Sequence, residues 1–373
     1  AAETPPQSAP RTWCLLGRKA GDNAQVTALA DALGWPWEPR HIAARAWELL
    51  PHLSLRVTLA GIDRGASSPL TPPWPDLVLT AGRRNEPVAR WIRRQAGGTT
   101  RLVHVGRPWA PLDTWDLVVT TPQYFLPSAP NIRHNTLPLC DLRPGALAAA
   151  GEALAPALEA LPRPWIGVLV GGDSGPYTLG PRAASRLLEQ AVARARDCGG
   201  SLLVTTSART RPAVTEVLER GLAGSGGVHT CPHFLHRYGA SPDNPYAGIL
   251  ALADAFIVTG DSIAMLSEAC GTGRPVALFD LGGMRRDADS TGGIAGPVDP
   301  RLGAVLYRGL MRWFPEPLSR DISLVHRALV AGGRAEWLED VGPVVGAPGV
   351  PVAARSADLD RALARIRGLV AAA

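Results

Sequence analysis

Between residues 258 and 280 the chain reads VTGDSIAMLSEACGTGRPVALFD. An apolar run ends at Gly260, Asp261 and Ser262 stand where a helix would begin, and Ser267 and Glu268 follow inside it. Gly271 and Gly273 then break the helix, and Pro275 opens another apolar run. A helix beginning there presents unbonded N–H groups at Ser262 and Ile263 and the positive end of its dipole. It can seat a diphosphate without a cationic side chain. Either Asp261 or Ser262 can cap it. Glu268 lies six residues after Ser262, ~9 Å along the axis, where a carboxylate can accept both hydroxyls of a ribose joined to that diphosphate. The plainer alternative makes Glu268 a solvated helix residue and the glycines punctuation.

A second stretch, VLVGGDSGPYTLGP (168–181), runs from an apolar strand into Gly171, Gly172, Asp173, Ser174 and Gly175. Glycines at such a turn let main-chain amides approach a ligand, and Ser174 adds a hydroxyl. It matches neither GxxxxGK[ST] nor GxGxxG. In TTSARTRP (205–212), Arg209 and Arg211 follow a strand end and could pair with a phosphate or lie in a solvated loop. Nearer the start, LLGRKAGDNAQ places Gly17, Lys19, Gly21, Asp22 and Asn23 at a strand-to-helix turn, and TAGRRNEP repeats the arrangement with Gly82, Arg83, Arg84 and Glu86. Such loops suit an acceptor. Asp22 or Glu86 could serve as general base, although capping explains Asp22 as well. The cluster Cys231, His233, His236 lacks a fourth ligand, so no metal is expected.

These loops need strands and helices to hold them. Apolar runs at 12–17, 76–82, 101–106, 116–121, 164–172, 201–207, 254–260 and 274–280 read as strands buried on both faces of parallel sheets. Further strands are expected at 55–61 and 227–233, and residues 121–135 read as a long loop. Helical patterns alternate with the strands. In NAQVTALADALG, Val26, Leu29, Ala30 and Leu33 share a face and Gly34 is the stop. The rhythm breaks at the Ala/Pro-rich stretch 140–164 and restarts. The fold class is therefore α/β, two Rossmann-like doubly wound domains facing a cleft. The boundaries read as a disordered tail (1–11), an acceptor-side domain (12–145), a nucleotide-sugar domain (146–345) and a C-terminal helix (346–373) that could pack back on the first domain.

With 46% apolar and 19% charged residues in 373, composition suits two cores. Five scattered cysteines without a CxxC pair favour a reducing compartment. No apolar run reaches the ~20 residues of a membrane span, and the start lacks a secretory signal pattern. A cytoplasmic protein is expected, with peripheral contact at the inner membrane. Lys19 is the only lysine, so the +5 net charge is carried by arginine. That excess reads first as codon composition and second as affinity for anionic partners. No nucleic-acid partner is expected.

In order, GRKAGDNAQVTALADALG, PDLVLTAGRR, VLVGGDSGPY, TTSARTRP and NPYAGILALADAFIVTGDSIAMLSEACGTGRPV resemble the mitochondrial-fission ELM-type family. The resemblance spans residues 12–285. That family is similar to GT-B glycosyltransferases, in particular the peptidoglycan N-acetylglucosaminyltransferase class. The resemblance implies that Ser267 and Glu268 bind a nucleotide ribose and that Gly171–Gly175 lies near the diphosphate. Where that class carries a histidine-containing glycine loop, this chain has Gly21-Asp22-Asn23, so the resemblance assigns no base. The composition points to a bacterial source. The reading that follows is an inverting, metal-independent glycosyltransferase without a resident cofactor. It would move a sugar from a nucleotide-diphosphate sugar to a glycan or lipid-linked acceptor. The alternatives are a non-catalytic scaffold, as plant members' recruitment of a dynamin-like GTPase implies, and a nucleotide-sugar epimerase.

Overall fold

The computed structural model describes residues 9–45, 57–140, 142–224, 231–285, 299, 301–313, 320–341 and 357–371. The chain forms two Rossmann-like α/β units. One comprises Ala1–Asp141 and Arg355–Ala373, the other Leu142–Ala354.

The first unit holds β1 (Thr12–Leu16), α1 (Ala20–Leu33), β2 (Trp37–His41), β3 (Leu77–Ala81), α2 (Glu86–Gln95), β4 (Arg101–Val105), β5 (Leu117–Thr120) and β6 (Ile132–His134). Its sheet runs β2-β1-β3-β4-β5-β6 with every pairing parallel. All of β1 and β3 is buried, as a sheet covered on both faces requires. Val26, Leu29, Ala30 and Leu33 of α1 cover one face, and Gly34 ends the helix at φ 73° in the left-handed region. The last helix of the chain, Ala357–Ala371, returns to that face with Leu359, Leu363 and Ile366 buried. Three such side chains contribute roughly 1.5–3 kcal/mol each. The opposite face packs on Val88, Ala89 and Ile92 of α2.

Two expectations need correction here. The second strand is Trp37–His41, because residues 57–61 form turns and contribute only a bridge between Ala44 and Ile62; residues 55 and 56 lie outside the described residues. The sequence WEPRH lacks an apolar run because β2 is a half-exposed edge strand, where Pro39 is tolerated. The stretch 121–135 is also more than a loop, since β6 within it closes the other edge.

The second unit holds α3 (Pro144–Leu158), β7 (Trp165–Leu169), α4 (Pro181–Asp197), β8 (Ser201–Thr205), α5 (Pro212–Leu222), β9 (His233–His236), α6 (Tyr246–Leu252), β10 (Ala255–Thr259), α7 (Ile263–Gly271), β11 (Val276–Phe279), α8 (Leu302–Trp313), α9 (Ser323–Ala331) and β12 (Glu336–Trp337). The strand expected at 227–233 is displaced to 233–236, and residues 227–230 lie outside the described residues. The order is β9-β8-β7-β10-β11-β12, again all parallel. Numbered within the unit this is 3-2-1-4-5-6, the order of dinucleotide-binding sheets.

Candidate functional site

In an open parallel sheet, ligands bind beyond the carboxyl ends of the strands, where the winding direction reverses. In the second unit the reversal falls between β7 and β10. The loop after β7 is Gly171–Gly175 and the loop after β10 is Gly260–Ser262, so the two most suggestive motifs are brought together.

Their contacts differ from those expected. Asp261 does not cap α7, and neither does Ser262, which occupies the N-cap without a side-chain bond. The Asp261 carboxylate instead crosses to β7, accepting the Gly172 N–H at 2.8 Å and Arg209 Nη2 at 3.0 Å. It is fully buried, and burial raises its pKa, opposed by Arg209 and the Gly172 amide. The Gly171 N–H is likewise taken, by the Thr259 hydroxyl at 2.8 Å. The amides of Gly171 and Gly172 are thus internal ties and not ligand donors, and Asp261 is a positioning residue. The close approach explains the glycines. A Cβ on Gly171 would stand 2.3 Å from Asp261 Oδ2, and one on Gly172 would stand 2.2 Å from the Arg209 carbonyl oxygen.

Guanidinium groups supply what the amides do not. Arg209 Nη1 donates to the Asp173 carbonyl at 3.1 Å, and Arg211 Nε lies 3.5 Å from the Asp173 carboxylate. Arg301 Nη2 donates to the Gly175 carbonyl at 2.7 Å while its Nη1 stands 3.7 Å from Asp173. Arg320 Nη2 donates to Ser174 Oγ at 3.0 Å. Four arginines therefore surround five residues, against the carboxylates of Asp173 and Asp261. Asp173 Oδ1 accepts the Leu179 N–H, so the cluster keeps an excess of positive charge beside the dipole of α7. Arg301 and Arg320 carried no signal in the sequence, because no motif surrounds them.

Ser267 is buried on α7. Glu268 is half-buried, and its Oε2 accepts a short hydrogen bond from the Tyr246 hydroxyl at the start of α6. Burial raises its pKa, opposed by Tyr246. The partner is a neutral hydroxyl and not a cation, which leaves the carboxylate able to accept further hydrogen bonds.

In the first unit the reversal lies between β1 and β3. A cavity of about 60 Å³ there is lined by Gly17, Lys19, Asp22, Asn23, Gly82 and Arg83 among others. Asp22 sits in the first turn of α1, with Oδ2 so near Gly82 (φ 75°) that a Cβ would stand 2.8 Å away. Gly21 is exposed with open space about it. Asn23 closes the loop on itself: its Oδ1 accepts the Gly17 N–H at 2.9 Å and its Nδ2 donates to the Gly17 carbonyl at 2.8 Å. That amide is spent on loop geometry, which corrects its placement as an acceptor contact. Arg83 lies over the Trp109 ring at 4.4 Å.

Glu86 is corrected more firmly. It is completely buried, accepting the Trp109 and Ala110 N–H groups at 2.8 and 2.7 Å. Burial raises its pKa to about 7, while the same desolvation holds the neighbouring His104 down at about 3. A carboxyl with both oxygens committed and no solvent contact cannot take a proton from an incoming hydroxyl. Its role is to pin the 109–110 backbone to α2. In the cysteine-histidine stretch, His233 Nδ1 lies 3.0 Å from the Cys231 carbonyl and His236 Nδ1 3.2 Å from the Thr205 hydroxyl.

The family model for mitochondrial fission ELM1 matches residues 20–290. Mitochondrial fission protein ELM1 of Arabidopsis thaliana is 29% identical over 224 residues, which cover 54% of this chain and about half (51%) of that protein. Among solved structures, UDP-GlcNAc 2-epimerase from Neisseria meningitidis aligns over 86% of this chain and 99% of its own, with TM-score 0.42 and 13% identity. Acinetobacter baumannii MurG aligns over 90% and 88%, with TM-score 0.39 and 13% identity. A family 9 glycosyl transferase from Veillonella parvula aligns over 89% and 98%, with TM-score 0.38 and 11% identity.

Proposed function

The chain belongs to the mitochondrial fission ELM1 family, and we propose that it is a glycosyltransferase whose second unit binds a nucleotide-diphosphate sugar at the β7/β10 reversal. The observation that carries this reading is the convergence of Arg209, Arg211, Arg301 and Arg320 on Asp173–Gly175 beside the start of α7. Guanidinium pairs with phosphate in charge and in fork geometry. The arginines and the helix dipole together neutralise a leaving diphosphate without a metal ion. Glu268, two turns along α7, accepts the ribose hydroxyls, with Tyr246 fixing its orientation and Ser267 supporting the same turn.

Acceptor recognition is assigned to the β1/β3 reversal of the first unit, with Asp22 as the general base of a direct, inverting displacement. It is the only acid among the described residues lining that cavity. The acceptor is a glycan or a lipid-linked saccharide. A second reading rests on the loss of Glu86 as a base. With so few proton-accepting groups at the acceptor loops, the chain could bind nucleotide and act only as a scaffold.

Incubation with UDP-, GDP-, ADP- and dTDP-sugars, with and without an envelope glycan extract, separates the readings. Nucleoside diphosphate released only with acceptor, and lost in Asp22→Asn, supports transfer. Conversion of the free nucleotide sugar without acceptor indicates an epimerase. Binding without turnover indicates the scaffold, and failure of every nucleotide to bind removes all but a scaffold independent of nucleotide.

A further inference from the structure

Four large apolar side chains are strongly exposed among the described residues, and three of them lie on α8: Leu302 at 76%, Val305 at 59% and Leu306 at 65%. Their i, i+3, i+4 spacing puts them on one helix face. The inner side of the same helix rests on the arginine-ringed loop. Tyr307 Cε1 would lie 3.1 Å from a Cβ on Gly175, the Tyr307 hydroxyl accepts the Arg320 N–H at 3.1 Å, and Arg301 immediately precedes the helix. We infer that α8 is a bilayer-contact helix, lying in the interface of an anionic membrane with Leu302, Val305 and Leu306 inserted among the headgroups.

Charge identifies the occupant. Between Leu302 and Trp313 the sequence of the helix carries two arginines (Arg308 and Arg312) and no acid, while Arg301 and Arg320 beyond its ends are held on the Gly175 carbonyl and the Ser174 hydroxyl. The described acids nearest the helix start are turned inward. Asp299 is buried on the Arg182 and Ala183 amides, and Asp173 is mostly buried beside Leu179. An exposed apolar stripe on a basic helix that also carries Trp313 has the composition of an in-plane interfacial helix. A protein partner or a second copy would need acids to meet those arginines. At 12 residues α8 is itself too short to cross the bilayer, so its contact lies in the plane of the interface. It stands independently of nucleotide binding, since it can be read with no nucleotide present.

The test is co-sedimentation of the full chain with vesicles of equal parts phosphatidylglycerol and phosphatidylcholine, and with phosphatidylcholine alone. Wild type should partition to the anionic vesicles and release with salt. Leu302→Ser/Val305→Ser/Leu306→Ser should partition about tenfold less or weaker still. Equal partitioning of wild type and triple variant would overturn the inference. So would a dimer of the wild type, seen without vesicles and dissolved by the triple variant, since the face would then join two copies. Should the variant fail to fold, hydrogen exchange on the wild type decides. Protection of 302–313 by anionic vesicles supports the inference, and unchanged exchange there overturns it.

Discussion

Replacing Arg301 by glutamine removes one charge from the proposed diphosphate seat and, in a shorter side chain, the guanidinium donor to the Gly175 carbonyl. The magnitude follows from its surroundings. A unit charge pair at 4 Å is worth ~4 kcal/mol at an effective dielectric constant of about 20. Arg301 already faces Asp173 at 3.7 Å, and its side chain is 31% exposed, so solvent and that carboxylate take up part of the interaction. A single charge-assisted hydrogen bond, about 1.5–3 kcal/mol, is the better guide. Its lower end corresponds to a roughly tenfold rise in Kd. Arg320→Gln should cost a similar factor, because its guanidinium is also held in place before ligand arrives, by Ser174 Oγ. Isothermal titration with uridine diphosphate at low and high salt reads both effects, and the penalties should shrink as salt rises. Wild-type affinity in both variants would refute placement of the diphosphate among these arginines.

Four further outcomes follow from the same contacts. Glu268→Ala should weaken uridine diphosphate binding while leaving inorganic pyrophosphate unaffected, as competitive titration of the two ligands would report. Glu86→Gln should keep nucleotide affinity within about twofold but lower the thermal midpoint, since one backbone N–H loses its acceptor at ~1–3 kcal/mol. Gly172→Ala should abolish binding, because its Cβ would strike the Arg209 backbone, and the thermal shift given by uridine diphosphate should vanish. His326 donates to the Gly260 carbonyl at 2.7 Å, and burial holds its pKa at about 4. The unfolded chain therefore takes up this proton first, and the stability contribution is complete above pH ~6.5 and lost as pH falls toward 4. His326→Gln should make the decline of the unfolding free energy over that interval shallower.

Much of the fold is legible because doubly buried parallel strands must be apolar throughout. The strands at 12–16, 77–81, 101–105, 165–169, 201–205 and 255–259 stand inside the runs that announced them. The strands that escaped notice are edge elements, Trp37–His41, Ile132–His134 and the two-residue Glu336–Trp337, whose partial exposure or shortness erases the signal. Turn glycines were legible as turns but misleading as ligand donors. Nothing in Gly171-Gly172 says that Thr259 and Asp261, some ninety residues on, will take both amides. Glu86 misled for a related reason. A glutamate after Arg83-Arg84-Asn85 looks solvated, and only tertiary structure brings the Trp109 and Ala110 amides onto it. Arg301 and Arg320 reach the site through long-range packing, for which local sequence has no marker.

A crystal structure of the chain with uridine diphosphate tests the central claim most directly. The account predicts the two phosphates between the start of α7 and the guanidinium groups of Arg209, Arg301 and Arg320, with both ribose hydroxyls on Glu268. A nucleotide bound elsewhere, or a Glu268 carboxylate that stays on Tyr246 without touching the ribose, would contradict it.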